Sequence, residues 1–295
     1  MWLTEEATNF GQKVQLAVMV HCFSKNNCNY CSLCCSAYLF SLTMYNGQRI
    51  TVTCQLYSIM ACWFCRCIDG FSRKIVWLQA SSSNHNPAVI ASYFLSAVDQ
   101  YGGYPAHVRT DCGTENVTIA AIQASIMHSA SAHVYGTSPG NQRIECWWSF
   151  FRRNRSQWWI TLFEDMIHFG VYDPNVAKHM DCLRFCFMHL IQADLDYVRH
   201  DWNTHRIRPS RDAHCPAGVP DELFYLPPPP AEDCMIRNAP ALPAEVMEQV
   251  EEPRVCDNED LRDYFIYLCD THGWHHPAAD VNAASELYIN LHNFL

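Results

Sequence analysis

Three carboxylates occupy positions where the side chains of a layered α/β domain can meet. Asp111 directly follows a short strand-like segment, Asp69 ends an apolar run, and Glu145 lies near the start of a long helical pattern. Carboxylates at strand ends and helix starts can converge on one edge of a sheet, where their oxygens hold hard divalent cations. Two such ions, about 4 Å apart, activate a water and stabilise the leaving oxygen of a phosphodiester. These residues are therefore candidates for metal-dependent chemistry on nucleic acids, although a lone strand-end Asp is more often structural.

The hydrophobic pattern predicts the elements that would position these carboxylates. Apolar runs at 61–68 and 74–80 flank the turn at Asp69 and predict a hairpin. A helix begins at Asn86-Pro87 and ends at Tyr101-Gly-Gly. The rest of the pattern predicts strands at 107–110 and 132–135 and helices at 115–128, 142–160 and 180–203. Strands followed by alternating helices and strands are typical of a layered α/β domain.

Two motifs resemble the DDE-type integrase catalytic core of retroviruses and transposons. Thr110-Asp-Cys-Gly-Thr-Glu-Asn116 resembles T-D-x-G-T-E-[FN], and Ser138-Pro-Gly-Asn-Gln-Arg-Ile-Glu145 resembles G-N-x-x-[VI]-E. Trp202-Asn-Thr-His-Arg206, Arg208-Pro209 and Cys215-Pro-Ala-Gly218 are similar to the close of transposon integrase cores. The resemblance covers about residues 61–226 and is closest to uncharacterised integrase-core proteins of animal genomes, descended from a transposon.

The resemblance implies an RNase H-like α/β fold, with a mixed five-stranded sheet flanked by helices. It also implies that Asp111 and Glu145 are the second and third ligands of Mg²⁺ or Mn²⁺, and that the partner is DNA, as in DNA integration. The core would occupy residues 61–226. It would lie between an irregular Cys-rich segment, residues 1–60, and a Pro-linked acidic C-terminal tail with short helices, residues 227–295.

The family's first catalytic carboxylate, carried by its first strand, has no counterpart in the expected place. Cys67-Ile-Asp-Gly-Phe-Ser-Arg-Lys74 matches the family's second strand, so Asp69 is interpreted as a turn residue that accepts backbone N–H bonds. No Asp precedes Asp69 in the chain. Two carboxylates would then face two dications, and the sequence predicts a protein that is inactive in strand transfer. The alternative is an active integrase in which Asp69 serves as the first carboxylate.

The predicted helix 142–160 has an apolar stripe and a polar face that would present cations to phosphates. A second basic group follows the helix 180–203. A solvated helix face, or pairing of the second group with Asp201 and Asp212, remains the alternative. Trp158 and Trp159 are interpreted as core residues. The residues predicted to contact DNA are Asn141, Arg143, Ser149, Arg152, Arg153, Arg206 and Arg208.

The charge distribution separates the C-terminal quarter from the rest of the chain. Residues 1–220 contain 17 Lys and Arg against 15 Asp and Glu, a net charge of +2. Residues 221–295 contain 3 against 15, a net charge of −12. An acidic segment repels DNA or competes with it for basic side chains, so it favours contacts with protein partners. We therefore hypothesise that deleting residues 227–295 strengthens DNA binding.

Composition argues against several other classes. The chain has 17 cysteines but no apparent signal peptide, so no disulfide framework is expected. Its N-terminal apolar stretches are shorter than the roughly 20 residues of a membrane span.

Paired cysteines at 28–35 and 62–67 have zinc-like spacing. However, the family's zinc domain needs two His before its Cys and only His21 precedes them, so zinc is not expected. The chain is expected in the nucleus or cytoplasm, and a homo-oligomer is left open.

Overall fold

The computed structural model describes residues 49–57, 62–83, 86–110, 113–136, 147, 151, 155–209, 215–231 and 233–295. The chain divides into two compact units. One comprises residues 1–42 and 137–153, and the described part of it is Trp147 and Phe151, whose rings stack with centroids 5.2 Å apart. All elements given below belong to the other unit, residues 43–136 and 154–295.

The N-terminal part of this unit is an antiparallel meander. Strand β1 (Arg49–Tyr57) pairs with β2 (Cys62–Asp69), and β2 pairs with β3 (Ile75–Ser81). The hairpin formed by β2 and β3 matches the sequence prediction. Strand β1 lies in the segment for which the sequence analysis predicted no element, and it nevertheless occupies the middle of the sheet.

Two parallel strands complete the sheet on the other side of β1. A two-residue strand, β4 (Tyr104–Pro105), precedes β5 (His107–Thr110), which pairs in parallel with β1 and with β6 (His133–Tyr135). The order of the five strands is β3-β2-β1-β5-β6. The register between β1 and β5 places Val52 beside Thr110. The last residue of β5 therefore lies beside the middle of β1.

Helices separate the strands as the periodicity predicts, and the α/β class is confirmed. Helix α1 begins after Asn86, whose side chain accepts the N–H of Ala88 at 2.9 Å, and ends at Gly102, which has a positive φ. The helices in chain order are α1 (Pro87–Tyr101), α2 (Val117–Met127), α3 (Gln157–His168), α4 (Ala177–Thr204), α5 (Pro220–Tyr225), α6 (Ala244–Met247), α7 (Glu259–His272) and α8 (Val281–His292).

The core forms between the sheet and the helices α1 and α2. Trp77 of β3, Phe94 of α1 and Ile122 of α2 are buried in one apolar cluster. The long helix α4 covers the edge strand β3 with side-chain amides. Gln192 accepts the Ala80 N–H at 2.8 Å and donates to the Leu78 carbonyl at 3.1 Å. These bonds satisfy edge groups that would otherwise be open to another strand.

The acidic C-terminal region packs against this core. Met235–Ile236 forms strand β7, which pairs with β4. Phe265 of α7 meets Phe185 of α4 with ring centroids 5.3 Å apart, and Tyr288 of α8 meets Tyr172 at 6.5 Å. The region that the sequence characterises as an acidic tail is therefore acidic on its surface and apolar where it contacts α4. Within the described part of the chain, no helix is both long and apolar enough to cross a membrane.

Candidate functional site

Asp69 is the last residue of β2 and binds the turn that follows through one oxygen. Its Oδ2 accepts the N–H of Phe71 at 3.2 Å, the N–H of Ser72 at 2.7 Å and the hydroxyl of Ser72 at 2.6 Å. The residue is 2% exposed. Burial raises the pKa of Asp69, and the hydrogen bonds from Ser72 and Phe71 act in the opposite direction. These contacts favour the structural interpretation of Asp69.

Trp202 and Asn203, which resemble the C-terminal end of integrase cores, bind the same hairpin. Trp202 Nε1 donates to the carbonyl of Arg73 at 2.9 Å. Asn203 accepts the Ile75 N–H at 2.8 Å and donates to the Ile75 carbonyl at 2.9 Å, as a neighbouring strand would. Because the Asn203 amide satisfies both the N–H and the carbonyl of Ile75, it fixes the end of α4 against the start of β3.

The segment Cys215-Pro-Ala-Gly218 also binds this hairpin. Cys215 Sγ donates to the carbonyl of Gly70 at 3.1 Å, and the Arg73 guanidinium donates to the carbonyl of Pro216. The buried Lys74 ammonium forms an ion pair with Asp221. We call the hairpin 69–75 together with residues 202–203 and 215–221 the hairpin clasp. The sequence did not predict that these separate motifs contact one another.

Removing the Asp69 carboxylate is expected to destabilise the fold. Asp69→Ala leaves the buried N–H and hydroxyl of Ser72 without their acceptor, at a cost of about 2–3 kcal/mol in the free energy of unfolding. Urea denaturation measures this cost. The matched control is Asp99→Ala, an exposed carboxylate of α1, with a change within about 0.5 kcal/mol. Unchanged stability with loss of Mn²⁺ binding in Asp69→Ala would instead make Asp69 a metal ligand.

The two exposed arginines predicted to contact DNA lie directly after α4. Arg206 and Arg208 flank Ile207, whose backbone pairs with Gly218 through bonds of 2.9 and 3.1 Å. Neither arginine forms an ion pair with another described residue. The geometry holds their backbone in place through Ile207 and leaves both guanidinium groups on the surface.

The other predicted site residues lie outside the described residues. They are Asp111, Asn141, Arg143, Glu145, Ser149, Arg152 and Arg153. Thr110 is the last described residue before Asp111. Its carbonyl accepts the Gly136 N–H at 2.7 Å, and its hydroxyl lies 3.2 Å from His133 Nε2. Thr110 is thus fixed between β1 and β6, one residue before Asp111.

The glycine and glutamate of the T-D-x-G-T-E motif have a local structural relationship. The Glu115 carboxylate folds back over Gly113, and a Cβ at position 113 would collide with it. Burial raises the pKa of Glu115. The short 3₁₀ turn Thr114–Asn116 then leads into α2. A larger residue at position 113 would therefore require the Glu115 carboxylate to move.

The residues that the structure describes do not complete a two-metal site. Strand β1, which lies beside β5, has the sequence RITVTCQLY and contains no Asp or Glu. The Asp69 oxygen Oδ2 already accepts three hydrogen bonds. Among the described residues, no three His, Cys, Asp or Glu side chains are grouped so that they could hold a metal ion. Within this part of the chain, β1 therefore offers no carboxylate to the pair of Mg²⁺ or Mn²⁺ ions that the resemblance implies.

Comparison with known proteins gives a family but no individual relative. Residues 60–224 match the family described as Integrase core domain. No curated protein and no solved structure matches the chain. The matched range contains the hairpin clasp, the T-D-x-G-T-E and G-N-x-x-I-E motifs, and both arginines that follow α4. It covers more than half of the 295 residues, so the chain belongs to the integrase core domain family.

Proposed function

We propose that this protein is a transposon-derived integrase core that binds DNA and has lost strand-transfer activity because its first catalytic carboxylate is absent. Membership of the integrase core family supports the DNA partner. The strand order β3-β2-β1-β5-β6, with β1 antiparallel to β2 and parallel to β5, supports an RNase H-like core. A protein that binds chromosomal DNA is expected in the nucleus, with the cytoplasm as the alternative.

The observation that carries the proposal is the composition of β1. The resemblance puts the first carboxylate on the first strand, and here that strand is present at residues 49–57 without an acidic residue. Asp69 is the nearest acidic residue along the chain, and its carboxylate is engaged in the turn. Asp111 and Glu145 alone bring two negative charges to a pair of dications. Without a metal-activated water, several kcal/mol of transition-state stabilisation are lost.

A nicking assay tests the proposed loss of activity. We expect no Mg²⁺- or Mn²⁺-dependent cleavage of supercoiled DNA by the full chain, and no difference between the full chain and the variant Glu145→Gln. Robust cleavage that Glu145→Gln abolishes would contradict the proposal. It would favour the alternative of an active integrase with Asp69 as first carboxylate, and that cleavage should then also disappear in Asp69→Asn.

DNA binding itself is tested at the two exposed arginines. The double variant Arg206→Gln/Arg208→Gln should weaken binding of duplex DNA uniformly across sequences. It should also lower the slope of log affinity against log salt by about 1 for each arginine, because each phosphate contact releases counterions. Fluorescence anisotropy at several salt concentrations measures both quantities. The control is Arg237→Gln, an exposed arginine paired with Asp233, which should leave the slope unchanged. An unchanged slope in the double variant would exclude these arginines from the interface.

A further inference from the structure

Helices α3 and α4 expose two large aromatic rings. Trp158 is 55% exposed and Tyr197 is 54% exposed. The interpretation of Trp158 as a core residue is therefore wrong, whereas that of Trp159, which is 6% exposed, is confirmed. The two indoles meet edge to face with centroids 5.0 Å apart, so Trp159 occupies the core-facing position and Trp158 the solvent-facing one.

Arg155 lies against the exposed Tyr197 ring and is linked to the tryptophan pair through Asp194. Its guanidinium lies 4.5 Å from the centroid of the Tyr197 ring and 3.6 Å from the carboxylate of Asp194. Asp194 also accepts the indole N–H of Trp159 at 3.1 Å. Arg155 and Trp159 thus share the Asp194 carboxylate, and Trp159 is in ring contact with Trp158. We call Arg155, Trp158 and Tyr197 the aromatic platform.

We propose that the aromatic platform binds an unpaired strand of DNA by stacking bases on Trp158 and Tyr197. The proposal rests on the DNA-binding function proposed above. Every base has a flat π-face, so exposed rings bind single strands without regard to sequence. A guanidinium beside the rings adds cation–π contacts and a phosphate partner. The Arg155 side chain is 40% exposed and its ion pair is long, so a phosphate can replace Asp194 at little cost.

The size and the surroundings of the platform favour a nucleic acid strand over a protein partner. A stable protein interface buries at least about 1,200 Å² in total. The platform offers two rings and one cation, and the exposed α3 residues beside Trp158 are the polar Gln157 and Thr161. A base-paired duplex is a poor ligand as well, because its bases are already stacked on each other. An unpaired strand is the form of DNA that presents free base faces.

Single-stranded and duplex DNA separate stacking from phosphate contacts. The probes are a labelled oligothymidylate and a labelled duplex of equal length, titrated into the full chain. Trp158→Leu and Tyr197→Leu should each weaken oligothymidylate binding roughly 5- to 100-fold and change duplex binding less than about twofold. Oligothymidylate should also quench tryptophan fluorescence, and Trp158→Leu should remove that quench. Tyr267→Leu, an exposed tyrosine of α7, is the matched control and should change neither affinity.

Each outcome decides between the two proposals. Equal oligothymidylate affinity in wild type and Trp158→Leu, with duplex binding intact, overturns the platform and leaves the proposed DNA-binding function standing. If Trp158→Leu weakens the binding of both probes equally, stacking is also overturned, because the surface then contacts only the DNA backbone. Absence of binding to either probe by the wild type overturns the proposed function together with the platform. Loss of a protein contact in Trp158→Leu, without a change in DNA affinity, assigns the surface to a protein.

Discussion

Arg184→Met should lower the free energy of unfolding by about 3–5 kcal/mol, because it leaves a buried carboxylate without its counterion. Arg184 donates to Asp181 at 3.1 Å, to Asp257 at 2.5 Å and to the carbonyl of Ser82 at 3.1 Å. Asp181 is 4% exposed, and its carboxylate also accepts the backbone N–H groups of Asp257 and Asn258 at the start of α7. The network thus joins α4, the end of β3 and the acidic C-terminal region, and urea denaturation measures its loss.

Two further variants distinguish a buried network from a general loss of charge. Arg237→Met removes an exposed arginine whose ion pair with Asp233 is open to solvent, and it should cost less than about 1 kcal/mol. Arg184→Met/Asp181→Leu removes both buried charges and should recover part of the stability lost in Arg184→Met. If Arg184→Met and Arg237→Met had equal effects, the network would not stabilise the attachment of the C-terminal region.

This attachment changes how the C-terminal charge is interpreted. Deleting residues 227–295 would remove the acidic groups, but it would also expose Phe185 and the other apolar residues of α4 that contact α7 and α8. An increase in apparent DNA binding after such a deletion would then be confounded by unfolding. Charge-neutral variants of exposed residues, such as Glu245→Gln/Glu248→Gln/Glu252→Gln, test the hypothesis that the acidic region weakens DNA binding without opening the core.

Elements with strong local signals could be predicted from the sequence. The cap at Asn86, the proline that follows it and the glycine at 102 define α1 without reference to the rest of the chain. The hairpin of β2 and β3 and the long helix α4 likewise follow from short-range periodicity. Their positions depend on contacts between near neighbours in the chain, and these are what sequence patterns report.

Strand β1 shows where such reasoning fails. Ile50, Val52, Cys54 and Leu56 alternate with polar residues, which is a strand pattern. Its Cys-rich surroundings and the lack of an Asp motif in this strand obscure the pattern. A motif can be lost while the backbone pairing that its strand provides is retained, because pairing depends on the alternation and not on the catalytic residue.

The hairpin clasp could not be predicted for a different reason. Its hydrogen bonds join residues separated by more than 100 positions, such as Ile75 with Asn203 and Gly70 with Cys215. Sequence similarity identified both segments, yet it gave no indication that the asparagine and the cysteine hold a turn. In this chain several residues that carry the resemblance stabilise the core, so their retention does not depend on the metal-binding carboxylates.

Restoring a carboxylate to β1 should restore metal-dependent activity at one of two neighbouring positions. Val52 pairs with Thr110, the last residue of β5 and the one before Asp111 in the sequence, so Val52 and Thr53 are the β1 positions to test first. Successive residues of a strand face opposite sides of the sheet, so only one of Val52→Asp and Thr53→Asp can face the side used by Asp111. The variant whose new carboxylate faces that side should increase Mn²⁺-dependent nicking on the order of 100-fold or more over wild type. The reason is that a metal-activated water contributes several kcal/mol of transition-state stabilisation.

The two β1 variants are matched controls for each other. Both add one negative charge to the same strand, so an effect of charge alone would appear in both, and circular dichroism checks that each remains folded. Isothermal titration with Mn²⁺ should show tighter binding in the active variant only, and adding Glu145→Gln should abolish its nicking. If neither variant gains Mn²⁺ affinity or activity while both remain folded, the missing carboxylate on β1 is not what separates this chain from an active integrase. In that case the defect lies at Asp111, at Glu145 or in the two segments that carry these residues.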